Sequence, residues 1–126
     1  MSGLLVDTQA LLWFLDGDDR LSDRARVAMQ DASNRLVVSA ASVWELAIKS
    51  AKGKIDVPDD FLAALEEEQI EVLDVRYDHA WRVADLPAGR HQDPFDRMIV
   101  AQAQVEKLAI VTSDTALEQY DIDVVW

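Results

Sequence analysis

Four acidic side chains stand at places where solubility alone does not call for them. Asp7 interrupts the apolar run "LLVDTQALLWFL", Glu45 lies inside "SVWELAIK", Asp96 follows Asp93 by one helical turn in "DPFDRMIVAQA", and Asp114 closes "IVTSD". Two carboxylates about 4 Å apart repel by roughly 4 kcal/mol at an effective dielectric near 20, so a cluster of them either holds protons or recruits a cation. Mg2+ and Mn2+, hard ions that take carboxylate and water oxygens, suit such a cluster. Each acid also has a purely structural reading. Asp93-Pro94 is the order of an N-cap and a first helical residue, with Asp96 at the third position, where the helix dipole favours an acid. Capping is the foremost reading of Asp93. Arg97, four residues on, can pair with it for about 0.2–0.5 kcal/mol or reach a phosphate. Ser42 before Glu45 fits a capping box, and Lys49 after it fits an ion pair. Asp114 fits the start of a short helix in "SDTALE". Asp7 points most directly to chemistry, because an ordinary core run has no use for an acid at that place.

The elements that must position these acids alternate regularly. Short apolar runs of strand length occur at "GLLV" (3–6), "RLVVS" (35–39), "IEVLDV" (70–75), "LAIVTS" (108–113) and "IDVVW" (122–126). Between them lie helical patterns: "TQALLWFL", "LSDRARVAMQDASN" opening at Ser22, "AASVWELAIKSAKGK" ending near Gly53, "PDDFLAALEEE" from Pro58, "YDHAWRVADL" stopping at Pro87, and "DPFDRMIVAQAQVEKL" from Pro94. This alternation predicts one α/β domain over 1–126, with a mostly parallel central sheet of about five strands flanked by helices. In a parallel sheet Asp7, Glu45 and Asp114 all fall at the carboxyl edge, where open α/β sheets bind ligands. Asp96 must join them from a helix packed nearby.

Composition narrows the function. The 126 residues carry 24 acids against 12 bases, a net charge of −12, which opposes indiscriminate binding to nucleic acid or to an anionic membrane. An enzyme of this charge acting on nucleic acid needs divalent cations, a local basic patch or a basic partner. Without cysteine there is neither a disulfide framework nor a thiolate metal site, and the expectation is a cytoplasmic protein. The apolar start is too short and too interrupted for a membrane span and reads as folded core. The four glycines are scattered, so there is no phosphate-binding loop and no nucleophile elbow. His79 and His91 read as exposed or capping residues, although His91, near Asp93, is placed to touch a substrate. The four tryptophans, Trp13, Trp44, Trp81 and Trp126, read as core or interface.

The ordered set "LLVDT", "SAASVWELAIKSAKGKI", "HQDPFDRMIVAQA" and "IVTSD" resembles the PIN-domain ribonucleases of the VapC type, the toxin halves of bacterial type II toxin-antitoxin pairs. The resemblance runs over essentially the whole chain. It implies metal-dependent hydrolysis of RNA, with Asp7 and Asp96 holding Mg2+ or Mn2+ and Glu45 and Asp114 completing the site; Asp93 matches a position often acidic in the subgroup. It implies accessory roles for Thr8, Thr112 and Ser113 in orienting water, and for Arg90, Arg97 and the "KSAKGK" lysines toward the RNA backbone. It also implies a homodimer and a cognate antitoxin with a basic tail. Two alternatives stay open. One is a Mg-dependent phosphatase or phosphotransfer domain of the haloacid-dehalogenase kind, although Gln9 stands where such enzymes want a second acid. The other is a non-catalytic binding module whose acids only cap helices.

Overall fold

The computed structural model describes residues 3–88 and 92–126, so Arg90 and His91 lie outside the described residues. Five strands form one parallel sheet: β1 (Gly3–Val6), β2 (Arg35–Ser39), β3 (Glu71–Leu73), β4 (Ala109–Val111) and β5 (Val124–Val125), in the order β3-β2-β1-β4-β5. The chain winds outward from β1 to β2 and β3, then returns to place β4 on the other side of β1. That reversal leaves a crevice between the carboxyl ends of β1 and β4, the position at which doubly wound sheets bind ligands.

Both faces of the sheet are covered, which explains why the strands read as unbroken apolar runs. Alternate side chains serve opposite layers. Leu4, Val6, Leu36, Val38 and Val111 pack under α1 (Thr8–Asp16), α2 (Asp23–Gln30), α3 (Ala40–Ala51) and α4 (Phe61–Glu67). Leu5, Val37 and Ile110 pack under α6 (Pro94–Glu106), with Leu86, Leu117 and Tyr120 around it. Among the described residues, no helix is long and apolar enough to cross a membrane.

Most predicted elements appear, several of them shorter. The helix expected from Pro58 begins at Phe61, because the Phe61 N–H closes a turn on the Pro58 carbonyl (3.0 Å) first. The 77–86 helix is α5 (Tyr77–Arg82) followed by a 3-10 turn, Val83–Asp85. The segment after Asp114 is a 3-10 helix, Thr115–Gln119. Trp13 and Trp126 are half-buried and pack at 5.9 Å, whereas Trp44 and Trp81 are 63% and 79% exposed and are surface residues rather than core.

One buried polar knot ties α5 to α6. His79 is wholly buried; its Nδ1 accepts the Arg76 N–H (3.0 Å) and its Nε2 lies 3.0 Å from a Glu106 oxygen that also takes the Arg76 guanidinium at 2.8 Å. Accepting at Nδ1 leaves the proton at Nε2, directed at Glu106. Together His79 and Arg76 hold the Glu106 carboxyl below its usual range. His79 is therefore a capping residue as expected, but a buried one. We predict that His79→Ala, which opens a cavity and strips the Arg76 N–H of its acceptor, lowers stability in urea unfolding by about 2–4 kcal/mol.

Candidate metal centre at the carboxyl edge of the sheet

Strand register determines what stands beside Asp7. Val6 is level with Val111 and Leu5 with Val37, so Asp7, one residue past Val6 and two past Leu5, is flanked by Thr112 on one side and Ser39 on the other. The Asp7 N–H extends the ladder by one bond to the Val111 carbonyl (3.0 Å). From there the Asp7 carboxylate is held at both oxygens. Its Oδ1 accepts the Ala10 N–H (2.7 Å), capping α1, and its Oδ2 accepts the Thr112 hydroxyl. Thr112, itself buried, in turn accepts the Asp114 N–H (3.0 Å), so a single hydroxyl joins the ends of β1 and β4. Asp114 Oδ1 caps the 3-10 helix through the Ala116 N–H (2.9 Å). Ser113, next to it, is exposed.

Glu45 approaches from α3. The helix is capped by Ser39, whose hydroxyl accepts the Ala41 N–H (3.0 Å). The capping box expected between Ser42 and Glu45 does not form, because the helix starts three residues earlier and Glu45 already lies in its second turn. The expected pair with Lys49 does form (2.9 Å). What the local sequence did not disclose is the other oxygen: Glu45 Oε1 accepts the Thr8 hydroxyl (2.7 Å) across 37 residues. Thr8 is the first residue of α1, so the two helices that follow β1 and β2 are tied at the site.

Asp93 caps α6, accepting the N–H groups of Phe95 (2.9 Å) and Asp96 (3.1 Å). Asp96 sits in the first turn of that helix, next to Phe95, whose ring meets Trp44 of α3 edge to face at 5.3 Å. That aromatic contact sets the head of α6 against α3, near Glu45. Arg97 turns away from Asp93. Its guanidinium meets the carbonyls of Pro87 (2.9 Å) and Val83 (3.5 Å) and the Tyr120 hydroxyl (3.2 Å), so it holds the preceding turn against α6.

The electrostatics follow from this placement. Burial is the main cause that raises the Asp7 carboxyl above its usual range; the bonds from Thr112 and Ala10 oppose it, and the charges of Asp114 and Glu45 raise it further. Asp7 thus senses both Asp114 and Glu45. Among the described residues, neither Asp7 nor Asp114 has a basic side chain to balance it, and no three acidic or histidine side chains already close into a cage. A half-buried carboxylate, beside other carboxylates and hydroxyls and without a basic partner among the described residues, is a donor set that fits a hard divalent cation.

A family model described as "PIN domain" matches residues 4–123. The chain belongs to the PIN domain family. Ribonuclease VapC22 of Mycobacterium tuberculosis is 29% identical over 122 residues, covering 95% of this chain and 93% of the relative. Two solved structures share the PIN fold. The DNA-bound VapBC structure from Salmonella typhimurium matches with a TM-score of 0.72 at 22% identity, covering 98% of this chain and 97% of the other. The toxin-antitoxin complex from Klebsiella pneumoniae matches with a TM-score of 0.61 at 20% identity, covering 89% and 87%. Membership of the PIN family displaces the haloacid-dehalogenase alternative.

The raised Asp7 pKa has a testable sign. The folded chain binds a proton at Asp7 more readily than the unfolded chain, so metal-free stability gains from this group as the pH falls through the raised pKa, and at neutral pH the charged Asp7 opposes folding. Asparagine keeps the cap and loses the charge. In EDTA at pH 7, Asp7→Asn is expected to melt about 2–5 °C above the wild type, with the difference narrowing as the pH is lowered into the range where Asp7 protonates.

Proposed function

We propose that this PIN domain is a metal-dependent endoribonuclease and the toxin half of a type II toxin-antitoxin pair. The observation that carries the reading is the acidic edge itself: Asp7, half-buried between Thr112 and the cap of α1, with Asp114 and Glu45 beside it and no basic partner of its own among the described residues. Likeness over nearly the full length to a protein named as a ribonuclease supports the choice of RNA as substrate.

Asp7 and Asp96 would hold Mg2+ or Mn2+, with Glu45 and Asp114 completing the site. Such an ion, when bound, lowers the pKa of a coordinated water and offsets charge growing on the phosphate oxygens. The chain's own side chains prepare the place. Thr112 fixes one oxygen of Asp7 and the backbone of Asp114; Thr8 and Lys49 fix the two oxygens of Glu45; Asp93 sets the turn that carries Asp96. His79 faces Glu106 inside the α5–α6 contact and takes no part.

The acidic edge favours an inhibitor of opposite charge, in keeping with a cognate antitoxin whose basic tail enters the site. The apolar surface beside α3 would receive a second copy of the chain. There Trp44 and Val75 are exposed over a groove of about 380 Å³ walled by Ala41, Pro94, Phe95 and Met98, and exposed apolar surface of this kind marks an interface.

Mn2+ is expected to raise the melting temperature of the wild type and to support cleavage of single-stranded RNA. Asp96→Asn should abolish both, with cleavage down about 100-fold or more. Thr112→Val should weaken Mn2+ binding about 10- to 100-fold, read by thermal titration as well as by cleavage. If Mn2+ changes neither melting nor RNA, the acids are caps and the chain is a binding module. Light scattering should show a dimer that Trp44→Glu converts to a monomer; a wild-type monomer at micromolar concentration removes the second copy from the proposal.

A further inference from the structure

We propose that Ser42 is a positioning residue of the cation site, its buried hydroxyl holding a water of the ion's shell beside Glu45. The inference rests on the metal-dependent reading above and adds a side chain to it. Ser42 is wholly buried, and its Oγ has no hydrogen-bond partner among the described residues. A buried hydroxyl without a partner costs stability, and an alanine fills the same place at no such cost. Neither ordinary use of a helical serine accounts for it. The cap of α3 is made by Ser39, and the Ser42 hydroxyl makes no bond back to the carbonyl of Val38, four residues earlier.

Among the described residues, Trp13 Nε1 and Gln102 Oε1 are also buried side-chain atoms without a partner. Each stands six residues beyond the acid at the start of its helix, Trp13 after Asp7 and Gln102 after Asp96. Gln102 belongs to the His79 knot, where its amide nitrogen meets the Asp74 carbonyl (3.3 Å). Ser42 alone of the three lies within one helical turn of an acid of the site.

Spacing sets the direction in which Ser42 faces. The inward side of α3 carries Ala41, Ser42, Glu45 and Leu46, and Glu45 and Leu46 flank Ser42 one turn on, at i+3 and i+4. Both of those reach α1. Glu45 Oε1 accepts the Thr8 hydroxyl (2.7 Å), and Leu46 shares a core with Ala10 and Leu11. Ser42 therefore faces the start of α1, about 4.5 Å along the axis from Glu45 on the side of the carboxyl edge. Helical side chains lean toward the amino end, so the Glu45 side chain lies over the turn that holds Ser42. Both Glu45 oxygens already accept a donor, one from Thr8 and one from Lys49 (2.9 Å). Mg2+ keeps several of its waters and takes one or two carboxylates directly. With Asp7 and Asp96 in that role, Glu45 meets the shell through water, and the Ser42 hydroxyl, which both donates and accepts, gives that water its second anchor.

The test compares thermal melts of the full chain, wild type against Ser42→Ala, in EDTA and in a Mn2+ titration. In EDTA the variant should melt at or above the wild-type temperature, since it loses an unpartnered buried hydroxyl. Its affinity for the ion should move the other way: the Mn2+ concentration that gives half of the metal-induced rise should be about 10-fold higher than for the wild type. Ser42→Cys, close to serine in size but a weak hydrogen-bonding group, should show the same loss. A purely structural serine gives the opposite pattern, a lower melting temperature in EDTA with unmoved Mn2+ affinity, and that result overturns the proposal. So does Mn2+ binding by Ser42→Cys equal to that of the wild type, which makes the loss in Ser42→Ala one of volume. If the wild type responds to Mn2+ and Ser42→Ala responds equally, the role of Ser42 alone falls; if the wild type does not respond, the metal-dependent reading falls with it.

Discussion

The register of β1 against β4 is the constraint on which the rest of the site depends. Because Val6 lies level with Val111, the next two residues are Asp7 and Thr112, and one hydroxyl can reach one carboxylate across the crevice where the chain reverses direction. A slip of one residue would turn every side chain of β1 to the other face and bring Leu5 to the layer that Leu4 and Val6 now fill. Core packing thus enforces the register, and the register places the chemistry. The apolar runs, which carry no chemistry, aim the acids more tightly than any polar contact does.

Around that bond the protein divides its polar groups into two economies. Away from the crevice, acids are satisfied by arginines, by cap positions and by the buried His79, and the carboxyl groups of Asp18, Asp78 and Glu106 all sit below their usual range. At the crevice the order is reversed, and Asp7 is raised by burial and by its acidic neighbours. The fold gives those partly exposed acids arginine or histidine partners and, among the described residues, gives Asp7 no basic one. A carboxyl raised in this way gives the site a preference for positive charge.

Much of this was legible in the sequence because it is local. The five apolar runs, the Asp93-Pro94 cap and the acid directly after the first strand each declare themselves within a few residues. What escaped depends on contacts between distant segments. Nothing near Glu45 announces Thr8, and the cap expected at Ser42 falls instead at Ser39 because β2 runs directly into α3. His79 carries no local mark of its burial, since that is produced by Glu106 and Gln102 on another helix. Trp44 and Trp81 sit among apolar neighbours in the sequence, yet their helices turn them outward: the inward face of α3 carries Ala41, Ser42, Glu45 and Leu46, and that of α5 carries His79. The convergence of the acids was suggested by topology; which hydroxyl holds which oxygen was not.

The cap that begins α6 has a consequence for how this segment tolerates change in length. Asp93 sets the point at which helical winding starts, and Asp96 lies three residues into it. Residues added before Asp93 leave the phase of the helix untouched, since the winding is counted from the cap. A single residue added between Asp93 and Asp96 rotates the carboxylate by about 100° about the helix axis. The two aspartates are thus separated by a fixed angle as much as by a distance, and the two residues between them, Pro94 and Phe95, cannot change in number without turning one acid away from the other.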